Sequence, residues 1–465
     1  MTSEGRFFAR DALLPDGWAR NVMLQWDASG RLTQVQRDVH APAGAALAAG
    51  PVLPGMPNLH SHAFQRAIAG LTEYRGQAQD SFWSWRTLMY RFALRIAPQQ
   101  LEAIALGLYV EMLEAGYTHV CEFHYLHHDT DGRPYADDAT LSLALLRAAQ
   151  RAGIGITLLP VLYQTSGFGA TPPGEGQRRF IRSTDSMLRL LAQLKPLCDE
   201  QAGARLGLAP HSLRAVPPDA LREALAGLDA IDAGAPIHIH IAEQVKEVED
   251  CVAWSGQRPV AWLLDHAKVD ARWCLVHATH MDAGEYRRAA KSGAVAGLCP
   301  STEANLGDGI FDLPQWQAAN GAWGIGSDSH VCVNAAEELL LLEYSQRFAT
   351  RQRNVAAEAA QPHTATAMTL AAVQGGARAA GRAIAGLREG QQADFVVLDA
   401  AHPALQGLPD AATQLDSHVF ASHRGSAIQG VWQGGQARVQ AGHHPLHEQA
   451  VRGFVDARRQ LLEYA

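Results

Sequence analysis

The sequence lacks a long apolar run, a paired cysteine motif and a block of like charges. No stretch reaches the 18 apolar residues that predict a membrane-spanning helix, so we expect no membrane partner. The formal net charge of −8 gives no electrostatic reason to bind nucleic acid. The first residues are interrupted by charges and have no apolar core of a secretion signal. These absences predict a cytoplasmic protein without a membrane or nucleic-acid partner.

The six cysteines are scattered along the chain and form no C-x-x-C pair. In a long chain without a secretion signal, isolated cysteines are more often free thiols than disulfides. We therefore expect a free thiol at each position. The positions are Cys121, Cys198, Cys251, Cys274, Cys299 and Cys332.

Short apolar runs alternate with longer segments rich in Ala, Leu, Glu and Arg through the middle of the chain. Eight runs are typical of strands, from PVLPGMP at residues 51–57 to WGIGSDSH at residues 323–330. The segments between them place apolar residues at i, i+3, i+4 and i+7, the period of an amphipathic helix. No glycine-rich phosphate turn follows the first strand, as it often does in an open doubly wound sheet. The pattern predicts a (β/α)8 barrel over residues 53–383.

Both flanks of the barrel are short, punctuated by glycine and partly alternating in polarity. Residues 1–52 and 384–443 are typical of β-hairpins, and neither flank is large enough to bury a core alone. We expect the two flanks to pair into one small composite β-sandwich beside the barrel. Residues 444–465 have the period of an amphipathic helix and predict a C-terminal helix.

Two histidines one residue apart, His60 and His62, close the first strand. With 21 histidines in 465 residues, about one such triplet is expected by chance, so the pair alone decides nothing. However, imidazoles and carboxylates recur at the ends of other strands, where chemistry gathers in this kind of barrel. They are His240 and Glu243 on the fifth strand, His277 and His280 on the sixth, and Asp328 and His330 on the eighth.

Alternation explains the spacing of the first pair, because residues i and i+2 of a strand point to the same side. His60 and His62 can face the barrel axis and bind one ion, with His240 across the barrel and Asp328 as the fourth group. Three imidazoles and a carboxylate suit Zn²⁺ and leave a position for water, although other divalent ions suit such a site. We expect one zinc ion per chain. His238 lies one layer deeper, and we interpret it as interior packing.

The remaining strand-end residues fit the proton transfers of a hydrolysis. Zinc lowers the pKa of a bound water to about 7 in favourable sites, but the water still needs a base and a proton carrier. Asp328 can accept the first proton, and His277 can hydrogen-bond to the nucleophile and orient it. Glu243 follows the third histidine ligand by three residues, close enough to reach a substrate nitrogen. The sequence assigns no role to His280 or His330.

The strand-end pattern resembles the amidohydrolase superfamily, a group of metal hydrolases that includes many deaminases. The flanking sandwich is also similar, so the resemblance covers nearly the whole chain. Longer and more specific motifs look like those of one family within it, the formimidoylglutamate deiminases of histidine degradation. These motifs are PGMPNLHSHAFQRAIAGLTE, FHYLHH, APHSLRAV, HIHIAEQ, CPSTEANLGDGIF and GSDSHV.

The resemblance implies a hydrolase that acts on the C–N bond of an amidine. Water attacks the formimidoyl carbon of N-formimidoyl-L-glutamate, and ammonia leaves to give N-formyl-L-glutamate. The family implies that Glu243 shuttles protons to the departing nitrogen. A homodimer is common in the superfamily and is expected here.

A substrate with two carboxylates calls for cations, and the planar fork of arginine binds carboxylates through two hydrogen bonds. Arg214 follows the fourth strand, and Arg86 lies in the segment SFWSWRTLMYR after the first. By resemblance, these arginines hold the glutamate portion together with Tyr125 and His211, and Gln65 faces the formimidoyl group.

Several alternatives stay open at this point. Arg86 could simply stack on neighbouring aromatic rings, and residues 81–92 could form either a core helix or a lid over the site. A rival function keeps the metal chemistry but acts on a purine or related heterocycle, whose pocket has less use for two arginines. Another rival is a binding or scaffold protein that has lost catalysis, and the retained pair Glu243 and Asp328 argues against it.

Overall fold

The computed structural model describes residues 5–41, 45–73, 82–421 and 426–463, except the side chains of residues 82–84. The strands are Gly5–Leu14 (β1), Gly17–Trp26 (β2), Leu32–Gln36 (β3), Ala46–Leu47 (β4), Val52–Pro54 (β5), Met56–Ser61 (β6), Tyr117–His124 (β7), Gly155–Leu162 (β8), Ala204–Leu206 (β9), Ala209–Pro210 (β10), Ile237–Ile241 (β11), Trp273–His277 (β12), Val295–Leu298 (β13), Ala322–Ile325 (β14), Phe395–Leu398 (β15), Ile428–Gln433 (β16) and Gln436–Gln440 (β17).

The helices alternate with the strands through the middle of the chain. They are Phe82–Ala93 (α1), Pro98–Glu114 (α2), Thr140–Ala152 (α3), Thr184–Glu200 (α4), Pro218–Asp232 (α5), Val245–Ser255 (α6), Pro259–His266 (α7), Ala283–Ser292 (α8), Pro300–Leu306 (α9), Leu313–Ala318 (α10), Ala335–Thr350 (α11), Thr364–Ala380 (α12), Ala411–Phe420 (α13) and His447–Leu462 (α14). Two short 3₁₀ helices cover Ala63–Ile68 and Glu175–Gln177.

Strands β6 to β14 form two parallel sheets whose edges meet to close a barrel. One sheet contains β6, β7, β8, β9 and β10, and the other contains β11 to β14. Bridges from Leu208 to Ile237 and from Ser61 to Asp328 join the two sheets at both edges. Because the short strands β9 and β10 share one position, the barrel has eight positions, each followed by at least one helix. The predicted (β/α)8 fold is confirmed.

Most of the barrel strands are buried along their whole length, as expected of parallel strands covered by helices. Every residue of β7, β8, β11 and β12 is buried. Nε2 of His238, on β11, lies 2.8 Å from the carbonyl oxygen of Ala379. This contact agrees with the interpretation of His238 as interior packing.

The two chain ends meet in one mixed sheet beside the barrel. Its strand order is β17-β16-β15-β5-β1-β2-β3, and β4 pairs with β1. The sheet has a hydrophobic core of its own. In this core, the centre of the Phe395 ring lies 5.1 Å from that of Phe7 and 6.0 Å from that of Trp26. We propose that this sheet, the barrel and the C-terminal helix are the three units of the chain, with boundaries near residues 55, 383 and 443.

The structure differs from the predicted elements at two places. The run PVLPGMP is not one barrel strand, because Val52–Pro54 pairs with β1 and β15 in the end sheet and the barrel strand begins at Met56. The second flank contains a helix, Ala411–Phe420, in addition to its hairpin. Its N-terminus is capped by the side chain of Asp410, which accepts the backbone N–H of Thr413.

Two general expectations can be compared with the described part of the chain. All six cysteines are free thiols, as predicted. Within the described residues, no helix is both long enough and apolar enough to cross a bilayer.

Helix α12 approaches strand β14 closely at Gly375. A Cβ atom at this position would overlap the backbone carbonyl of Trp323, which cannot move without displacing the strand that leads to Asp328. We expect Gly375→Ala to lower the free energy of unfolding by about 2–3 kcal/mol, as overpacked cores do. Urea unfolding measures the change. Gly453→Ala on α14, where the nearest atom is 3.8 Å away, is the matched control, and equal effects of the two changes would contradict the prediction.

Candidate active site

The four predicted metal ligands converge near the carboxyl ends of β6, β11 and β14. Nε2 of His60 lies 3.1 Å from Nε2 of His62 and 3.0 Å from Nε2 of His240. Oδ1 of Asp328 lies 3.3 Å from Nε2 of His60 and 3.2 Å from Nε2 of His62. All four residues are buried. The structure therefore brings all four predicted ligands to one point.

The hydrogen bonds of the rings show that this cluster fits a cation. Nδ1 of His62 lies 2.9 Å from the carbonyl oxygen of Phe123, and Nδ1 of His240 lies 3.1 Å from that of His211. A carbonyl only accepts, so these Nδ1 atoms carry the protons and the Nε2 atoms present lone pairs. Burial lowers the pKa of His60 to about 3, which keeps that ring neutral as well. A tetrahedral zinc site places neighbouring ligand atoms about 3.3 Å apart, close to the separations found here.

A hydrogen-bonded layer behind the cluster holds the ligand strand in place. Nε2 of His330 accepts the backbone N–H of His62 at 3.2 Å, and its Nδ1 lies 2.9 Å from the hydroxyl of Ser327. The amide of Asn58 donates to the same hydroxyl at 2.6 Å. His330 thus supports the backbone of a ligand. His280 lies further out, with Nε2 2.8 Å from the carbonyl oxygen of Asp308.

Glu243 and His277 lie beside the cluster. Nε2 of His277 is 3.7 Å from Oε1 of Glu243 and 3.9 Å from Oδ2 of Asp328. Burial raises the pKa of Glu243 to about 7, even though His277 opposes the shift. Burial also disfavours the charged form of His277, but the carboxylates around it raise its pKa to about 10. A carboxyl group with a pKa near 7 can accept and release a proton at neutral pH.

One pocket is lined by three of the four predicted metal ligands, by Glu243 and His277, and by every residue predicted to contact the substrate. The ligands His62, His240 and Asp328 line it, together with Glu243 and His277. The five residues expected to contact substrate line the same pocket, and they are Gln65, Arg86, Tyr125, His211 and Arg214.

Two polar atoms in this pocket are available for a ligand. The amide nitrogen of Gln65 donates to the hydroxyl of Tyr125 at 2.9 Å, but Oε1 of Gln65 is buried without a hydrogen-bond partner in the described part of the chain. Nε of Arg214 is buried in the same way, again with no partner among the described residues. The pocket therefore presents one buried acceptor and one buried donor. Burial and the neighbouring Arg214 lower the pKa of His211, so that ring is neutral.

Helix α1 supplies one side of the pocket. Its residues Trp85, Arg86, Met89 and Tyr90 are among the lining residues. The guanidinium carbon of Arg86 lies 5.5 Å from the centre of the Tyr90 ring, so this arginine both stacks on an aromatic ring and lines the pocket. Residues 81–92, for which the sequence left both a core helix and a lid open, lie partly outside the described residues, and the described part is helical.

The sequence analysis missed several further lining residues. Tyr163 directly follows β8, so the strand-end rule that found the ligands could have found it. Phe180 lies in the loop before α4, and Leu306 ends α9. The sequence contains no signal that these loop and helix positions return to the pocket.

A (β/α)8 barrel with three imidazoles and an aspartate at its strand ends, beside Glu243 and His277, is typical of a metal-dependent hydrolase. The comparisons with known proteins agree with this class. The family model described as "Amidohydrolase family" matches residues 52–438, and the chain belongs to this family. Residues 6–48 match the model "Formimidoylglutamate deiminase HutF, N-terminal domain".

The curated relatives place the chain more narrowly. A formimidoylglutamate deiminase of Pseudomonas aeruginosa is 53% identical over 458 residues, which cover 98% of this chain and 99% of the relative. A 5-methylthioadenosine/S-adenosylhomocysteine deaminase of Shouchella clausii is 26% identical over 388 residues, which cover 82% and 79% of the two chains. The resemblance to the formimidoylglutamate deiminases is thereby confirmed.

Solved structures share the whole architecture. A crystal structure of an amidohydrolase from Brucella melitensis has a TM-score of 0.93 and 50% identity, and the match covers 98% of this chain and all of that one. A zinc-bound adenosine deaminase from Xanthomonas campestris has a TM-score of 0.80 and 20% identity, with 99% of each chain covered. The second match shows the fold alone.

Proposed function

We propose that this protein is a zinc-dependent formimidoylglutamate deiminase of histidine degradation, which hydrolyses N-formimidoyl-L-glutamate to N-formyl-L-glutamate and ammonia. The observation that carries the proposal is a single pocket that combines a His₃Asp cluster with two arginines. The full-length similarity to a relative of that name supports it. One zinc ion per chain, a homodimer and a cytoplasmic location remain predictions.

The polar groups of the pocket match the two ends of this substrate. The formimidoyl end offers N–H donors, which suit the buried oxygen of Gln65. The glutamate end carries two carboxylates, which suit the guanidinium groups of Arg214 and Arg86. Tyr125 receives a hydrogen bond from the amide of Gln65 and so holds the oxygen of that amide in a fixed direction. We propose that His211, next to Arg214, contributes to the same carboxylate contacts.

The proposed reaction needs a nucleophile and two proton transfers. A bound divalent ion lowers the pKa of water to about 7 and so supplies a nucleophile at neutral pH. As the water oxygen bonds to the formimidoyl carbon, Asp328 accepts a proton from it and His277 orients it. Glu243 then carries two protons in turn to the terminal nitrogen, the one that Asp328 accepted and the one that the new hydroxyl group releases as its oxygen becomes the carbonyl. The carbon–nitrogen bond breaks, ammonia leaves, and the oxygen stays on carbon as the formyl group.

A purine deaminase is the second candidate, because relatives named for purine substrates match at 26% identity. Such a substrate has no carboxylate pair for Arg86 and Arg214. A non-catalytic scaffold has no use for Glu243 beside an intact ligand set. The lining of the pocket therefore favours the dicarboxylate substrate.

Arg214 distinguishes the leading function from its purine rival. Truncating Arg214 leaves a substrate carboxylate desolvated without its partner, which costs about 2–5 kcal/mol for a buried charge pair. We expect Arg214→Ala to lower kcat/KM for N-formimidoyl-L-glutamate by about thirty-fold to several thousand-fold. Arg214→Lys recovers only part of the loss, because a point charge does not reproduce the planar fork. Ammonia release and bound metal are measured for each variant.

The control for Arg214 is Arg222→Ala, a change of an exposed arginine that pairs with Asp219 on α5. We expect this variant to behave like the parent and both variants to retain their metal. An N-formimidoyl alkylamine without carboxylates should be a poor substrate that Arg214→Ala and the parent turn over equally. If Arg214→Ala hydrolyses N-formimidoyl-L-glutamate as well as the parent does, Arg214 does not anchor the substrate.

A further inference from the structure

A buried carboxylate outside the pocket contacts the catalytic histidine. Oε1 of Glu303 lies 3.3 Å from Nδ1 of His277 and accepts the backbone N–H of Cys299 at 2.8 Å. Only 5% of Glu303 is exposed, and it lies outside the set of residues that line the pocket in the described part of the chain. The mechanism above leaves this group without a role.

Helix α9 holds Glu303 in a fixed place. Glu338 on α11 accepts the backbone N–H of Ser301 at 2.9 Å and its hydroxyl at 2.5 Å. At the other end of α9, the backbone N–H of Asp308 donates to the carbonyl oxygen of Glu303 at 2.9 Å. These contacts hold the helix, while the acceptor oxygen of Glu303 itself is placed by the backbone N–H of Cys299, independently of His277.

The contact decides which way the ring of His277 faces. Oε1 of Glu303 already acts as the acceptor of the backbone N–H of Cys299, so Nδ1 of His277 is the donor of this contact and carries the proton that points to Glu303. Nε2 then faces the pocket, where it lies 3.7 Å from Glu243 and 3.9 Å from Asp328. The backbone of His277 has a φ of +66°, a left-handed conformation that strand geometry does not impose. The ring also stacks on that of His240, with 5.6 Å between ring centres, and this contact does not choose between its two nitrogens, so the hydrogen bond to Glu303 makes that choice.

We propose that Glu303 is a positioning residue that holds the ring of His277 with Nδ1 toward α9 and Nε2 toward the attacking water. The inference rests on the proposed function, since it takes His277 as the group that orients this water. The hydrogen bond at one ring nitrogen of a histidine sets the role of the other nitrogen. Loss of the corresponding partner of a metal-ligating histidine typically costs 10–100-fold in metal affinity or activity, and we expect a loss of that size here.

Two conservative variants of Glu303 distinguish the effect of the position of its acceptor oxygen from the effect of its charge. Glu303→Gln removes the charge but keeps a carbonyl oxygen where Nδ1 of His277 and the N–H of Cys299 need it. Glu303→Asp keeps the charge but withdraws the oxygens by one methylene group. We expect kcat of Glu303→Gln to stay within about five-fold of the parent and that of Glu303→Asp to fall by about 10–100-fold. KM should change by less than about two-fold in both, because Glu303 lies behind the pocket.

Glu338→Asp is the matched control. Glu338 is equally buried and supports the same helix, but its hydrogen bonds in the described structure go to Ser301. We expect it to lower the unfolding temperature as Glu303→Asp does, while its kcat stays near that of the parent. Bound metal is measured in every variant and should equal that of the parent.

Each result decides the inference. If Glu303→Asp turns over at least as fast as Glu303→Gln, charge rather than placement acts and the inference is wrong. If Glu338→Asp loses as much kcat as Glu303→Asp, loosening of α9 explains the loss and the inference is wrong. If Glu303→Asp does not fold, Glu303→Gln decides alone, and a loss beyond about ten-fold contradicts positioning by the acceptor. A parent that releases no ammonia from N-formimidoyl-L-glutamate refutes the proposed function itself, and the inference with it.

Discussion

Replacing His240 with alanine removes the bound divalent ion and reduces ammonia release to background. Nε2 of His240 lies 3.0 Å from that of His60 and supplies one of four converging ligand atoms. Without it, only three of the four protein groups are left to bind the ion, and we expect this loss to weaken binding enough for the ion to be lost on purification. Metal analysis of the purified variant and an ammonia assay measure the two effects. His60→Ala should give the same result.

His238→Ala is the matched control for His240→Ala, because both histidines lie on β11. His238 faces Ala379 one layer deeper, so its replacement should cost stability but leave the metal in place. We expect about one zinc per chain in the parent. A parent that stays active after exhaustive chelation, with no metal left, would contradict the metal site.

Replacing Glu243 with glutamine lowers turnover by about 10²–10⁴-fold, the typical contribution of general acid-base catalysis. The amide keeps the shape and the hydrogen bonding of the carboxyl group but cannot carry a proton to the departing nitrogen. Bound zinc should be unchanged, because Glu243 lies beside the ligand cluster and not in it. Glu249→Gln, an exposed change on α6, is the control and should turn over like the parent. Near-normal turnover by Glu243→Gln would remove this residue from the mechanism.

The sequence predicts the barrel because its signal is local and repeated. Each strand is a short apolar run followed by a helix of the correct period. Eight such units, without a glycine-rich turn after the first strand, favour a closed barrel over an open sheet. Local periodicity does not show where the end sheet stops and the first barrel strand begins. Val52–Pro54 and Met56–Ser61 are both buried and nearly continuous, and the partner of the first segment, β15, lies more than 340 residues later. A contact at that separation leaves no trace in local periodicity.

In the candidate site too, the sequence predicts the residues whose positions follow from local pattern and misses those placed by distant contacts. The ligands and the acid-base pair are at strand ends, where the fold itself dictates which side chains meet. Arg214 and Tyr125 also follow strands, and family resemblance supplied their roles. Phe180 and Glu303 come from a loop and a short helix, whose approach to the pocket depends on packing against other helices. Glu303 stands inside a motif that the sequence analysis quoted, but only the structure shows that it faces His277.

The central claim is tested most directly by the products that the zinc-loaded parent forms from N-formimidoyl-L-glutamate. Mass spectrometry and an ammonia assay on one reaction give the identity and the amount of each product, with an aminopurine assayed in parallel. We expect N-formyl-L-glutamate and ammonia in equal amounts and no turnover of the aminopurine. Formation of glutamate and formamide would place the broken bond on the other side of the formimidoyl carbon and contradict deimination. Deamination of the aminopurine, with no reaction of N-formimidoyl-L-glutamate, would contradict the substrate while leaving the metal chemistry intact.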